Sequence, residues 1–324
     1  MRIAVTGSIA TDHLMVFPGR FTEQLVADRL DKVSLSFLVD QLDVRRGGVA
    51  ANISFGLGVL GLSPILVGAV GADFADYRSW LERHGVDTKS VRVSETRHTS
   101  RFLCTTDEDQ NQIASFYAGA MEEAREIRLA PVADRAGGLD LVLIAPNDPV
   151  AMVRHTEECR QRGFAFAADP SQQLARMGGP EVRKLVDGAS YLFTNEYETA
   201  LLLKSTGWSA EDVRDRVRWW VQTQGADGVR IEGCGVSLTV PAVPVKQEAD
   251  PTGIGDAFRA GFLWGRHARL SLERSAQAGC TLAAIALETV GTQEYRLTRQ
   301  SFSDRVARAY GSAAAADIEA KLRI

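Results

Sequence analysis

Asp250-Pro251-Thr252-Gly253-Ile254-Gly255-Asp256-Ala257-Phe258-Arg259-Ala260-Gly261 sets two glycines directly before an apolar helical pattern that opens near Asp256. Glycines let successive backbone N–H groups converge, and a helix N-terminus adds partial positive charge. The segment therefore reads as an anion site, suited to charge developing on a transferring phosphoryl group. An aspartate here also serves as a plain N-cap, but a cap needs only one acceptor. Thr-Gly-x-Gly-Asp-Ala places the carboxylate inside the nest of donors formed by Gly253, Ile254 and Gly255, which favours a functional carboxylate at Asp256. No Gly-x-x-x-x-Gly-Lys-Ser/Thr loop occurs, so phosphate must be cradled differently from a P-loop protein.

Moving toward the N-terminus, Thr223-Gln224-Gly225-Ala226-Asp227-Gly228 lies between two β-like runs and lets backbone approach a nucleotide phosphate, though by itself it is only a turn. Asn195-Glu196-Tyr197-Glu198 follows the strand-like Tyr191 to Thr194 and opens a helix. Its side chains suit either Mg²⁺ held through water or a capping box. Runs Ile3 to Ser8, Leu141 to Ala145 and Phe164 to Ala168 also read as buried strands, alternating with helical patterns such as Pro149 to Arg162 and Glu196 to Leu203. That alternation predicts an α/β fold with a mainly parallel sheet covered on both faces, and a ligand beyond the strand C-terminal ends.

Two stretches break the alternation: Phe17 to Arg45, and Thr99 to Tyr117 with its polar turn Asp107 to Asn111. The second reads as a hairpin with Phe102 and Phe116 on opposite arms, and together the two insertions would form a small β-layer over the cleft. Asp12 and Arg46-Gly47-Gly48-Val49-Ala50-Ala51-Asn52 fall where a cleft ligand would sit. A carboxylate accepts two hydroxyl hydrogens and an amide both donates and accepts, so Asp12 and Asn52 suit a ribose ring. Gly56-Leu57-Gly58-Val59-Leu60-Gly61 matches a dinucleotide fingerprint but follows a helical run, Val49 to Phe55, and leads into a strand, so its glycines are assigned to close packing and helix termination.

Composition narrows the partners. A net charge of −4 gives no general attraction to nucleic acid or anionic membrane, and no run reaches transmembrane length. The four scattered cysteines fit reduced packing thiols, and the five histidines, lacking any metal spacing, fit surface or capping positions. The short apolar N-terminus does not fit a signal peptide. Small-molecule chemistry in the cytoplasm is the expectation.

In their order, Gly47-Gly48 with Asn52, Asn195-x-x-Glu198, Thr223-x-Gly225-x-x-Gly228 and the Asp250 to Gly261 segment resemble the ribokinase-like, or phosphofructokinase-B type, carbohydrate kinases over nearly the whole chain. Ala4 to Leu14, Ala168-Asp169-Pro170-Ser171-Gln172-Gln173 and the lid-like insertions are similar to the adenosine kinases of actinobacteria. The resemblance implies a ribokinase-like three-layer sandwich, residues 1–324 as one domain, with a β-sheet lid from insertions at about 13–46 and 98–118. It implies ATP-dependent phosphorylation of the 5′-hydroxyl of adenosine to AMP, a purine-salvage reaction, with Asp256 as base and Gly253, Ile254 and Gly255 as anion hole. Ser8, Asp12, Ser36, Gly48, Asn52, Phe102, Phe116, Gln172 and Gln173 would hold the nucleoside, the two Phe rings by stacking. Asn195, Thr223, Gly225 and Gly228 would hold the nucleotide, Asn195 and Glu198 would organise Mg²⁺, and K⁺ would lie near Asp250. It also implies a homodimer.

One departure stands out: acidic Asp227 lies in the nucleotide loop where such kinases often carry Lys. A kinase for a free sugar shares every phosphate-handling motif and is told apart by pocket aromatics; a nucleoside-binding regulator has no need of Asp256 in an intact Thr-Gly-x-Gly-Asp segment.

Overall fold

The chain is seen in a computed structural model that describes residues 2–24 and 36–324. In chain order the strands are Ile3–Thr6 (β1), Ala10–Val16 (β2), Gln41–Gly47 (β3), Ile65–Val70 (β4), Asp87–Val93 (β5), Ser100–Thr106 (β6) and Gln112–Tyr117 (β7). Leu141–Ile144 (β8), Phe166–Ala168 (β9), Tyr191–Asn195 (β10), Trp220–Thr223 (β11), Val229–Gly233 (β12) and Val236–Val240 (β13) complete them. Among the described residues nine pair in the order β13-β12-β11-β10-β9-β8-β1-β4-β5, and four form a second sheet, β3-β2-β6-β7. In the larger sheet only β12 runs against the rest, through its antiparallel pairing with β11 and β13.

The central strands β1, β4 and β8 of the large sheet are buried along their length because both faces are covered. Ile3 and Val5 of β1 enter one core while Ala4 enters the other; β8 divides Leu141 and Leu143 from Val142 and Ile144 in the same way. Side chains alternate between faces along a strand, so a doubly covered strand has no polar side. Six helices cover the first face: Val49–Val59 (α2), Ala75–Arg83 (α3), Ile254–His267 (α9), Leu272–Leu287 (α10), Arg299–Tyr310 (α11) and Ser312–Glu319 (α12), after a single turn at Phe21–Gln24 (α1). Leu129–Ala136 (α4), Pro149–Arg162 (α5), Gly179–Val186 (α6), Glu196–Thr206 (α7) and Ala210–Arg216 (α8) cover the second. This is the expected ribokinase-like three-layer arrangement. No described helix is long and apolar enough to cross a membrane.

The small sheet joins the two insertions through parallel pairing of β2 with β6, while β3 and β7 pair antiparallel at its edges. The lid starts at Ala10, three residues before the expected boundary near 13, because the chain passes from β1 into the lid with almost no connection. Residues 25–35 of the first insertion lie outside the described residues. Phe17, Phe21 and Phe37 form a ring cluster, with centroids 4.9 to 5.7 Å apart, at the far end of the lid.

Three expectations are corrected. Helix α2 does not end at Phe55 but continues through Gly56 and Gly58 to Val59, while the expected close packing holds, since a side chain at Gly56 would strike Ala260 and one at Gly58 the His84 carbonyl. His155 is neither surface nor cap. It is fully buried between Thr6 Oγ1 and the Ile127 carbonyl, and burial pushes its pKa down to about 4. Cys234 is exposed in the β12–β13 turn, whereas Cys104, Cys159 and Cys280 are buried.

Candidate active site

Between the C-terminal ends of the parallel strands and the lid lies a cavity of about 1220 Å³. At its floor Gly253, the N-cap of α9, has φ +77°, a left-handed conformation that favours glycine, and a Cβ there would come within 2.9 Å of Thr292. The first N–H groups of a helix have no intrahelical acceptor. Gly253, Ile254, Gly255 and Asp256 all line the cavity at this end of α9, with the helix dipole directed at it.

Asp256 stands in the first turn, and Asn52 Nδ2 donates to its Oδ2 at 2.8 Å. Burial pushes its carboxyl up to about 6, against the Asn52 donation and the nearby Arg259 charge; Glu198 pushes the same way as burial. At neutral pH it is mainly ionised and able to accept a proton. One turn further, Arg259 is buried and grips Asp169 with two contacts, Nε to Oδ2 and Nη2 to Oδ1, each 2.6 Å. Its remaining nitrogen, Nη1, lies against Gly255, close enough to meet a Cβ there at 2.7 Å. Burial pushes the Asp169 carboxyl up to about 7, with the Arg259 charge opposing.

The lid supplies one cross-strand row: Arg45 of β3, Asp12 of β2, Phe102 of β6 and Phe116 of β7 stand opposite one another in register. Residues in register share a face, and Asp12, Phe102 and Phe116 all line the cavity. Burial pushes the Asp12 carboxyl up to about 6, with Arg45 opposing. Ser8 and Gly48 join at the root of the lid. Ser8 Oγ accepts from Val49 N at 3.0 Å, starting α2, and Gly48 at φ +92° has no room for a side chain because a Cβ would lie 2.6 Å from Ala10 N.

Asn52 is more restricted than its composition suggests. Its Oδ1 lies 2.9 Å from both Thr292 Oγ1 and Gln293 Nε2, so toward a ligand it can only donate. Gln172 is exposed on the cavity wall, whereas Gln173 is buried with its Nε2 donating to the Asn147 carbonyl at 2.8 Å, which holds the loop. Ser36 is not brought to the site: it is exposed in the segment before β3, beside the lid's ring cluster, and does not line the cavity.

On the opposite side, Thr223, Gly225 and Gly228 line the cavity, and a side chain at Gly225 would meet nothing within 4 Å. Asp227 is exposed and does not line it, so the acidic departure is turned away from the cavity. Val243, Val245, Ala283 and Leu287 add an apolar wall to this arm. None of the four carries a local signal in the sequence, and neither do Thr292 and Gln293; Arg259 and Asp169 lie within the motifs but carry no local sign of their pairing.

Asn195 and Glu198 form a true capping box, each side chain accepting the other's backbone N–H at 2.8 Å. The other Glu198 oxygen, Oε1, accepts from Ser171 at 3.1 Å, and both residues line the cavity. The described residues contain no cluster of three or more acidic, His or Cys ligands. Of the expected metal residues, Asn195 and Glu198 alone face the cavity, and a Mg²⁺ there would take its remaining ligands from water and phosphate. Glu198→Gln keeps an acceptor for the cap but loses the charge, so stability should change by less than about 1 kcal/mol while half-saturation by Mg²⁺ rises severalfold. A lower melting temperature with unchanged Mg²⁺ dependence would leave only the cap. Asp250 does not fit K⁺. Its Oδ1 accepts from Thr252 N, its Oδ2 from Gly291 N, and the Arg45 guanidinium stands 3.2 Å away, already supplying the positive charge; it does not line the cavity.

A family model for pfkB family carbohydrate kinases matches residues 6–299. A nucleoside kinase of Methanothermobacter thermautotrophicus is 29% identical over 285 residues, covering 87% of this chain and 91% of that one. The ligand-free structure of Burkholderia thailandensis nucleoside kinase superposes with a TM-score of 0.85 at 33% identity, covering 94% of this chain and 99% of that one. The same enzyme in complex with inosine gives 0.82, also at 33% identity, over 95% of this chain and 98% of that one. With Asp256 at the start of α9, the glycines before it and the lid already in place, this likeness along the chain makes the protein a member of the pfkB family of carbohydrate kinases.

Proposed function

We propose that the protein is a nucleoside kinase that transfers the γ-phosphoryl group of ATP to the 5′-hydroxyl of adenosine, yielding AMP and ADP. The observation that carries this reading is the register row Asp12, Phe102 and Phe116 on the lid face above the Asp256 cradle. A free sugar needs the carboxylate but not two rings beyond it; a nucleoside uses both, its ribose at Asp12 and its base against the aromatics. Its length fits a cavity of about 1220 Å³ shared with a nucleotide.

The chemistry follows from the residues. Asn52 donates to a ribose oxygen with its second N–H, and Asp12 accepts a hydroxyl hydrogen. The 5′-hydroxyl gives its proton to Asp256 as its oxygen bonds to the γ-phosphorus and the bond to the bridging oxygen breaks, releasing ADP. The N–H groups from Gly253 to Asp256 and the Arg259 charge stabilise the equatorial oxygens. Mg²⁺, held through water at Glu198 and Asn195, would neutralise the β- and γ-phosphates.

Phe102→Ala and Phe116→Ala should each raise the adenosine KM roughly tenfold, from about 1 to 3 kcal/mol of stacking per ring, with little effect on the ATP KM. Steady-state rates with adenosine, inosine and ribose test the assignment, and ribose turned over as efficiently as adenosine would overturn it. Inosine is the second reading, favoured by the inosine complex of the B. thailandensis relative.

A further inference from the structure

We propose that Gln293, with Thr292 beside it, is a positioning residue for the base: it sets the Asn52 amide so that an N–H, and not the carbonyl oxygen, faces Asp256. The proposal deepens the reading of Asp256 as the proton acceptor and rests on it.

The two ends of an amide have nearly the same shape, so only neighbours decide which way it points. Here the decision starts at a backbone carbonyl. Tyr77 donates its hydroxyl proton to the Gly47 carbonyl at 2.9 Å, at the end of lid strand β3, and its oxygen is then free only to accept. Gln293 Nε2 meets that oxygen at 2.5 Å, so its NH₂ end must face Tyr77, and the same nitrogen reaches Asn52 Oδ1 at 2.9 Å. With Oδ1 held by a donor, Asn52 turns Nδ2 to Asp256 at 2.8 Å. Every step has one possible direction once the Gly47 carbonyl is specified as an acceptor. Gln293 is 1% exposed, so bulk water does not compete.

Thr292 adds a weaker preference. Its hydroxyl lies 2.9 Å from both the Arg46 carbonyl and Asn52 Oδ1, and one proton serves only one of them. Together the two residues bridge the root of the lid and the base, which lie far apart in the chain. Without Gln293 only the shared Thr292 hydroxyl holds the Asn52 oxygen, so the amide can flip and place that oxygen against the Asp256 carboxylate, which favours the protonated acid, unable to take a proton.

The charges facing Asp256 are Arg259 on its own helix and Glu198 of α7, with Asp169 behind Arg259; Tyr77 and Tyr295 are buried phenols held neutral. A Gln293 substitution alters none of these charges, so a change in the Asp256 titration reports on Asn52. The test is a carboxyl titration by NMR of protein labelled with ¹³C-aspartate, the Asp256 signal being identified by its loss in Asp256→Asn. In Gln293→Leu, and in the milder Gln293→Met, the midpoint should rise by about one pH unit, a tenfold tighter proton, and the acidic limb of kcat/KM should move with it. In an Asn52→Ala background, Gln293→Leu should add nothing. An unmoved midpoint in a folded Gln293 variant, or the same further rise without Asn52, would overturn the proposal; a lower melting temperature with an unmoved midpoint assigns Gln293 to packing alone. The NMR arm needs no substrate. A parent enzyme inactive on every nucleoside therefore sinks the substrate assignment, while the titration still decides this one.

Discussion

Asp256→Asn is expected to lower kcat by about 10²- to 10⁴-fold, the usual contribution of a positioned base, while the nucleoside still binds. The amide keeps an oxygen for the Asn52 N–H, so the site should stay assembled. The same variant should be more stable than the parent at neutral pH. Burial raises the Asp256 carboxyl to about 6, so the folded state holds its proton more tightly than the unfolded chain does. The associated stability is present below the ordinary carboxylate range and is lost as pH rises through about 6. A neutral amide escapes this loss, for a gain on the order of 2 kcal/mol at pH 7.5 that narrows toward pH 5. Thermal melts across that range and single-turnover rates check both halves. Near-normal turnover in a folded Asp256→Asn would remove Asp256 from the chemistry, and a pH-independent stability difference would show that its burial carries no such cost.

The other large effect concerns Arg259. Arg259→Met leaves the Asp169 carboxylate buried without its partner, which should cost about 3 to 5 kcal/mol, whereas Arg259→Met with Asp169→Leu replaces the whole pair by apolar groups and should recover most of that loss. Turnover should not recover with it. Nη1 of Arg259 lies against Gly255 in the cradle, and its charge acts on Asp256 and Glu198, so the double variant loses a cation where negative charge builds up. We expect kcat at least tenfold below the parent in a protein that melts normally. Recovery of both stability and turnover would assign the pair to packing between α9 and the end of β9 alone.

Several features of the site were legible because they are written in short-range physics. Asn195 and Glu198 read as a capping box and form one, since both hydrogen bonds close within a single helical turn. Asp256 reads as the first-turn residue of a helix behind glycines, and α9 begins at Ile254. Phe102 and Phe116, placed on two arms about a polar turn, stand directly opposite in the hairpin, because turn position and register set each other. Strands β1 and β8 were readable as apolar runs, since burial on both faces leaves no polar position to confuse the pattern.

What sequence alone determined is therefore the layered fold, the start of α9 behind its glycines and the lid hairpin, each carried by periodicity or by bonds between near neighbours. Tertiary structure alone decided the rest. Asp250 reads as a cation ligand until Arg45, 205 positions away, is seen beside it. Asn52 reads as an amide that donates and accepts until Gln293, 241 positions away, takes its oxygen. Arg259 reads as one more residue of a helix until Asp169 meets it from 90 positions away. A hydrogen bond or ion pair is an interaction of a few ångströms in space with no signature in chain separation, so which charges and amides end up facing the cradle is settled only when the sheet brings its strand ends together.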